Sequence, residues 1–256
     1  SFTAPGDTGS GDVISGEASS SFGYALTYGD FNSDGKTDLV VSAYTYSTST
    51  GRAYIFYNDG GIPTAATTAD VIITGEANSY FGTSLASGDF NTDGRTDLAV
   101  GSYYYSSQTG RAYIFYNDGS IPTTADTADV TITGEATSNN FGNALISGDF
   151  NSDSRTDLVV SARGYSTSAG RAYIFHNDGS IPTTAATADV IITGEAGSYF
   201  GASLTSGDLN SDGRLDLAVS GEWYSSDTGR AYIFHNDGSI PTTAATADVI
   251  ITGETT

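Results

Sequence analysis

The chain has no cysteine, no methionine, one tryptophan, two histidines, five prolines and only nine lysine and arginine residues among its 256. Each shortage closes a class of function. Without cysteine there is no disulfide framework, no thiolate metal site, no iron–sulfur cluster and no cysteine nucleophile. Nine basic residues against thirty aspartates and glutamates leave a formal charge of −21. Such a chain repels polyphosphate, so nucleic acid is not an expected partner. No apolar run approaches the roughly twenty residues of a membrane-spanning helix, so no membrane insertion is expected. A chain without methionine lacks an initiator, and its start, SFTAPGDTGS, leads us to expect that a signal peptide or larger precursor has been removed. With its acidic, Ser/Thr/Gly/Tyr-rich composition, this points to a secreted or cell-surface protein.

What is present is core material, arranged in a repeat. Hydrophobic residues make up 38% and aromatic residues 12% of the chain, which disfavours disorder despite the charge. The segment beginning FGYALTYGDFNSDGKTDLVVSAY at Phe22 returns at Phe81, Phe141 and Phe200, at spacings of 59, 60 and 59 residues. Each copy continues through GRAYIF, an NDG turn, Ile-Pro and DVIITGE or a near variant. Four short strands are read per copy. In the second copy the first strand carries Phe81, Leu85 and Phe90. The next sets Leu98 and Val100 against Ala99, and the third sets Tyr113 and Phe115 against Ile114 and Tyr116. Gly, Asn, Asp and Pro punctuate the junctions, and no helical period intervenes.

Four strands per repeat of about sixty residues predict an all-β fold, a β-propeller of four four-stranded blades. Residues 1–10 read as a tail and 11–254 as one propeller domain, with repeats near 18–76, 77–135, 136–195 and 196–254. The outer-strand sequence occurs a fifth time, as DVISGE from Asp12. That surplus N-terminal strand leaves three arrangements open. It lies beside the last blade, it is donated to another molecule, or the chain is an arc of a larger ring.

Between the first two strands of each copy runs an acidic loop: DFNSDGKTD, DFNTDGRTD, DFNSDSRTD and DLNSDGRLD. Oxygen-bearing side chains fall at loop positions 1, 3, 5 and 9, and a basic residue at position 7 offers its backbone carbonyl while its side chain points to water. The candidate ligands are Asp30, Asn32, Asp34, Lys36 and Asp38 in the first loop, and Asp89, Asn91, Asp93, Arg95 and Asp97 in the second. The third loop supplies Asp149, Asn151, Asp153, Arg155 and Asp157, and the fourth Asp208, Asn210, Asp212, Arg214 and Asp216. A hard, all-oxygen set selects Ca2+ over Zn2+ or Cu2+, with Mg2+ second, so up to four Ca2+ are expected. The bland alternative is a solvated Asn/Asp-rich turn. It leaves three carboxylates repelling one another in nine residues, four times over. These are not EF-hands, because position 12 is Val41, Val100, Val160 or Val219 rather than a bidentate Glu. The third loop has Ser154 where the others have Gly, so a positive φ there would strain it and make it the weakest site.

The Phe22-Gly23 pair, the acidic loop and the following DLVVSA resemble the FG-GAP repeat of integrin α-subunit propellers and their bacterial relatives. The resemblance runs from about Asp12 to Glu254 and implies a propeller with Ca2+ in hairpin loops on one face. The "GAP" element is degenerate here, as in Ser42-Ala43-Tyr44 and Ser220-Gly221-Glu222, and integrin rings carry more than four blades. Nearly every polar residue is repeated four times, which leaves no differentiated acid–base pair, so an enzyme is not expected. His176 and His235 read as strand-edge substitutions. Divergence gathers in the loop after the second strand, where Tyr44, Tyr103, Tyr104, Arg163, Trp223 and Tyr224 are candidate ligand-binding residues. The expected function is a Ca2+-stabilised structural or adhesive module, self-assembling as a homo-oligomer or filament. Its expected partner is a protein or glycan ligand at the cell surface, and the alternative reading is a lectin-like module using the aromatic loops.

Overall fold

A computed structural model describes residues 13–254. Each repeat forms one antiparallel sheet whose strands lie in chain order. Blade 1 comprises β1 (Phe22–Gly29), β2 (Asp38–Ala43), β3 (Arg52–Phe56) and β4 (Val71–Thr74). Blade 2 comprises β5 (Ser84–Gly88), β6 (Asp97–Ser102), β7 (Arg111–Phe115) and β8 (Val130–Thr133). Blade 3 comprises β9 (Phe141–Gly148), β10 (Asp157–Ala162), β11 (Arg171–Phe175) and β12 (Val190–Thr193). Blade 4 comprises β13 (Phe200–Gly207), β14 (Asp216–Gly221), β15 (Arg230–Phe234) and β16 (Val249–Thr252). The four-bladed, all-β propeller read from the repeat is the observed fold.

The two-sided alternation expected along the middle strands is absent. All six residues of β6 are buried, as are Ala112–Phe115 of β7, because neighbouring blades cover both faces of an inner blade. Phe90, read as part of a strand, lies beyond β5 in the acidic loop and is buried in the core cluster that includes blade 3. Phe31 and Phe150 reach forward in the same way.

The junctions between blades repeat one plan. The strand ends Thr74, Thr133 and Thr193 bridge in parallel to Thr124, Thr184 and Thr243 of the following blade. Two residues further on, Glu76 accepts hydrogen bonds from Arg111 and Tyr113, each at 2.8 Å. Glu135 and Glu195 serve Arg171/Tyr173 and Arg230/Tyr232 likewise. Gly51, Gly110 and Gly170 have φ of 79° and bridge to Phe81, Phe141 and Phe200, where any Cβ would collide with the Phe carbonyl oxygen.

The surplus N-terminal strand takes a definite place. Ser15 bridges in parallel to Ala65, and Glu17 accepts hydrogen bonds from Arg52 at 2.9 Å and Tyr54 at 2.6 Å. Residues 13–17 therefore occupy, on blade 1, the position that a preceding blade's strand end occupies elsewhere, rather than lying beside blade 4. Asp12, where that segment begins, is outside the described residues. The inner strands pack β1 on β5, β5 on β9 and β9 on β13, and no comparable packing joins β13 to β1 among the described residues. The blades form an arc with a seam between its ends.

Candidate metal loops and an aromatic face

Backbone hydrogen bonds shape the acidic loops. In the first, Asp30 accepts from the backbone N–H groups of Asp34 (3.1 Å) and Gly35 (2.9 Å), and Asn32 Oδ1 accepts from the same Asp34 N–H at 3.0 Å. Asp34 Oδ1 accepts from Lys36 N–H at 2.8 Å. The same four bonds recur in the other loops, including that from Gly213 N–H to Asp208. The oxygens at positions 1, 3 and 5 thus crowd into one short turn.

Position 9 does more than offer a ligand. Asp38, Asp97, Asp157 and Asp216 are buried, and each holds the loop with one oxygen and the turn after the third strand with the other. Asp38 accepts from Phe31 N–H at 2.7 Å and Asn58 N–H at 2.8 Å, and Asp97 from Phe90 and Asn117, both at 2.8 Å. Burial pushes the Asp97 carboxyl up to about 6, against the pull of its two backbone donors, and Asp93 and Asp89 push it the same way. Asp157 is raised for the same leading reason. The exposed Asp34 is lowered by its bond to the Lys36 ammonium, and Asp212 by the Arg214 backbone N–H.

The position-7 side chains do not simply point to water. Lys36, Arg95, Arg155 and Arg214 reach the carbonyl oxygens of Asn58, Asn117, Asn177 and Asn236 at 3.1–3.4 Å, and Lys36 also pairs with Asp34. Ser154 has φ 68°, beside 81–86° for Gly35, Gly94 and Gly213, and its N–H meets Asp149 at 2.9 Å as Gly35 meets Asp30. The turn does require the left-handed conformation. Asp59 and Asp118, from the NDG turns, accept hydrogen bonds from Asn32 and Asn91 and so bring further carboxylates to the first two loops. Sequence reasoning passed over them; their signal was the NDG repeated in every copy.

The donor set suits a hard divalent cation in kind, being oxygen throughout with one carboxylate shielded from water. It is not drawn into a finished cage: among the described residues no group of three or more Asp, Glu, His or Cys is arranged to hold a metal.

The divergent aromatics gather at the ends of the second strands. Tyr44 stands between Tyr24 (4.2 Å between ring centroids) and Tyr80 (5.4 Å), and Tyr80 continues to Tyr103 and Tyr104 at 5.7 and 4.7 Å. Tyr80 holds φ 54°, an uncommon conformation for a bulky residue. Tyr24 and Tyr80 escaped the sequence reading, since nothing in one repeat shows which rings meet across blades. Arg163 pairs with Glu222 at 3.3 Å, and both line a groove of about 460 Å³ with Tyr24, Tyr103 and Asn143. Trp223 packs on Tyr199 at 5.6 Å and is about half exposed. Tyr224 differs from the rest. Its ring lies 3.5 Å from the Arg230 guanidinium, a stack repeated by Tyr46, Tyr105 and Tyr165 on Arg52, Arg111 and Arg171. His176 and His235 sit half-buried just past β11 and β15, held through their backbone N–H by Asp189 and Asp248.

Known proteins share this pattern. The FG-GAP repeat family matches residues 22–56 and 81–115, and the FG-GAP-like repeat family matches 149–219. Phosphatidylinositol-glycan-specific phospholipase D of Bos taurus is 37% identical over 154 residues, covering 54% of this chain and 18% of that protein. Integrin alpha-7 of Rattus norvegicus is 36% identical over 156 residues, 58% of this chain and 13% of its own length. Integrin alpha-6 of Gallus gallus is 34% identical over 160 residues, covering 60% and 14%. The chain spans less than a fifth of the length of these relatives. With the FG pairs, the acidic loops and the four-stranded blades in register with these matches, the chain belongs to the FG-GAP repeat family of β-propellers.

Proposed function

We propose that this chain is a Ca2+-stabilised, non-enzymatic propeller module with a structural or adhesive role, acting in secreted form or at the cell surface. The integrin-like module supports such a role in general. The observation that carries the calcium reading is the acidic loop kept in all four repeats. Twelve carboxylates stand in the four loops, three in each with one of the three buried, at the cost of mutual repulsion. Asp30, Asn32, Asp34 and Asp38, and their counterparts, would hold the ion with the position-7 carbonyl. A bound ion would cancel that repulsion, so metal binding and folding are coupled. Four ions would add +8 to the formal −21, leaving −13. Thermal melting with EDTA, then with calcium restored, tests this: chelation lowers Tm by many degrees and calcium returns it. A Tm indifferent to both treatments removes the calcium reading.

A second reading is favoured by the groove that joins Tyr103 to the Arg163–Glu222 pair: binding of a glycan, with rings for stacking and charged groups for hydroxyls. A glycan array probed with the chain and with its Tyr103→Ala and Trp223→Ala variants tests it. Binding lost in the variants supports the reading, and no binding by the parent chain rejects it. A surface protein partner is the outcome the first reading favours.

A further inference from the structure

The second residue of an acidic loop is held from two directions. Phe31 N–H donates to Asp38 of the same loop at 2.7 Å, and the Phe31 carbonyl oxygen accepts from the Asn117 side-chain amide of the next blade at 2.7 Å. Phe90 is held by Asp97 and by Asn177, both at 2.8 Å, and Phe150 by Asp157 at 2.8 Å and by Asn236 at 2.6 Å. These bonds fix the peptide planes on either side of position 2, and with them the spacing of the oxygen ligands at positions 1 and 3. Half of that restraint comes from outside the repeat, across 86 or 87 residues of chain.

Each asparagine is in turn held by the loop of its own blade. The backbone N–H groups of Asn117, Asn177 and Asn236 donate at 2.8 Å to Asp97, Asp157 and Asp216, the ninth-position aspartates. The bonds therefore run on from loop to loop. From the Phe31 carbonyl they pass through Asn117 and Asp97 to Phe90, whose own carbonyl starts the next link through Asn177 and Asp157. A third link passes through Asn236 and Asp216 to the Leu209 N–H. The three asparagines are at most 5% exposed and these aspartates are fully buried, so water does not compete for the bonds. All three links cross internal junctions, with a blade on either side.

We infer that this relay makes the acidic loops one coupled set, in which order in one loop is transmitted to the loop of the neighbouring blade. Asp97 cannot shift without moving Asn117, and the Asn117 amide sets the peptide between Phe31 and Asn32 in the first loop. Buried hydrogen bonds of this length tolerate little displacement, and chains of them reinforce one another. Asn117, Asn177 and Asn236 are positioning residues that act on the neighbouring loop through its backbone. An ion that fixes one loop relieves part of the ordering cost of the next, so Ca2+ binding is positively cooperative between adjacent blades and reciprocal by linkage. For the ion this deepens the calcium reading and rests on it; the coupling of loop order belongs to the chain's own hydrogen bonds.

Amide hydrogen exchange of the full chain, read by NMR in EDTA, tests the coupling. Asn177→Ala cuts the second link and should speed exchange at the Asp93, Gly94 and Arg95 amides by about tenfold, although nothing in that loop is altered. Ile132→Ala opens the same junction between blades 2 and 3 without touching the relay, and should leave those amides nearly unchanged. If Asn177→Ala fails to fold, judged by circular dichroism, Asn117→Ala reads the first link at Asp34, Gly35 and Lys36 in the same way. Loop exchange unchanged in the folded variant overturns the relay, as does an equal effect from Ile132→Ala. Calcium titration followed at the Gly94 amide tests the cooperativity. Asp153→Asn in the third loop should weaken binding in the second by about fivefold or more, and should lose that effect in the Asn177→Ala background. A chain that binds Ca2+ while the Asp153→Asn effect stays within its own loop overturns cooperative binding. A chain that shows no Ca2+ binding at all removes the calcium reading and cooperative binding together, and the comparison in EDTA still decides the coupling.

Discussion

Blades 2 and 4 share the five-residue strand Arg-Ala-Tyr-Ile-Phe, at Arg111–Phe115 and Arg230–Phe234, and surround it differently. In blade 2 the Ala, Tyr, Ile and Phe are all buried. In blade 4 the Ala and Ile are only half-buried, and Ile251 in the next strand is open where Ile132 is closed. The pairing of this strand with the one before it is the same in both, down to the register of the ladder. Local sequence therefore sets the blade, while neighbours set how much of it is buried. In an array of this kind, stability is approximately a sum of blade terms and junction terms. Blade 4 contributes one junction where blade 2 contributes two.

The comparison can be broken by paired substitutions. Ile132→Ala opens a cavity in a packed junction and should cost about 2 to 5 kcal/mol in denaturant unfolding. Ile251→Ala, measured below the concentration of any self-association, should cost less than about 1 kcal/mol. Equal losses would show that blade 4 is covered. A smaller contrast follows at the charged end of the junction. Glu76→Ala removes the one carboxylate oxygen that accepts from both Arg111 and the buried Tyr113 hydroxyl, at about 2 kcal/mol. Glu254→Ala removes no such bond and should be near neutral.

How much of this was legible follows the same division. The period of about sixty residues, the alternating β-branched runs and the turn residues specified four sheets in order, because strand and hairpin chemistry is local. The acidic loops were equally plain, and Ser154 exposed the need for positive φ simply by departing from three glycines. Relations between repeats were not legible. Asp97 was read as a ligand before anything showed it also stapling Phe90 to Asn117. From its own repeat position Arg95 reads as solvent-facing, whereas its partner carbonyl lies 22 residues away. The Tyr24–Tyr44–Tyr80 series needs two blades side by side before it exists. The surplus strand was recognised by its sequence, but its cleft on blade 1 belongs to no single repeat.

Burial of the ninth-position aspartate also leaves a pH signature. The Asp97 carboxyl, raised to about 6 from an ordinary value of 3.8, binds its proton more tightly folded than unfolded. Between those values the native state holds more protons, so the calcium-free chain loses stability as pH rises from about 4 to about 6. Asp97→Asn should flatten that part of a Tm–pH profile measured in EDTA. With calcium present the slope should reverse, since the ion requires the ionised form and proton binding expels it. A profile in EDTA unchanged by Asp97→Asn would place the burial effect elsewhere.

The smallest expected effect separates loop three from the other loops. Ser154 pays for a left-handed conformation that glycine adopts freely, a cost of about 1 kcal/mol or slightly more. Ser154→Gly relieves it but enlarges the unfolded ensemble, which returns a few tenths of a kcal/mol. The net gain should therefore be about 0.5 to 1 kcal/mol in EDTA, read as a small rise in the denaturation midpoint. Gly94→Ser in the second loop should lose a similar amount, because its φ of 86° is at least as demanding. If calcium binds these loops, calorimetric titration should also show the weakest class of sites moving toward the others in Ser154→Gly. Equal stabilities for both substitutions would mean that the Asp149 bond to the Ser154 N–H offsets the strain, so that loop three was never the odd member.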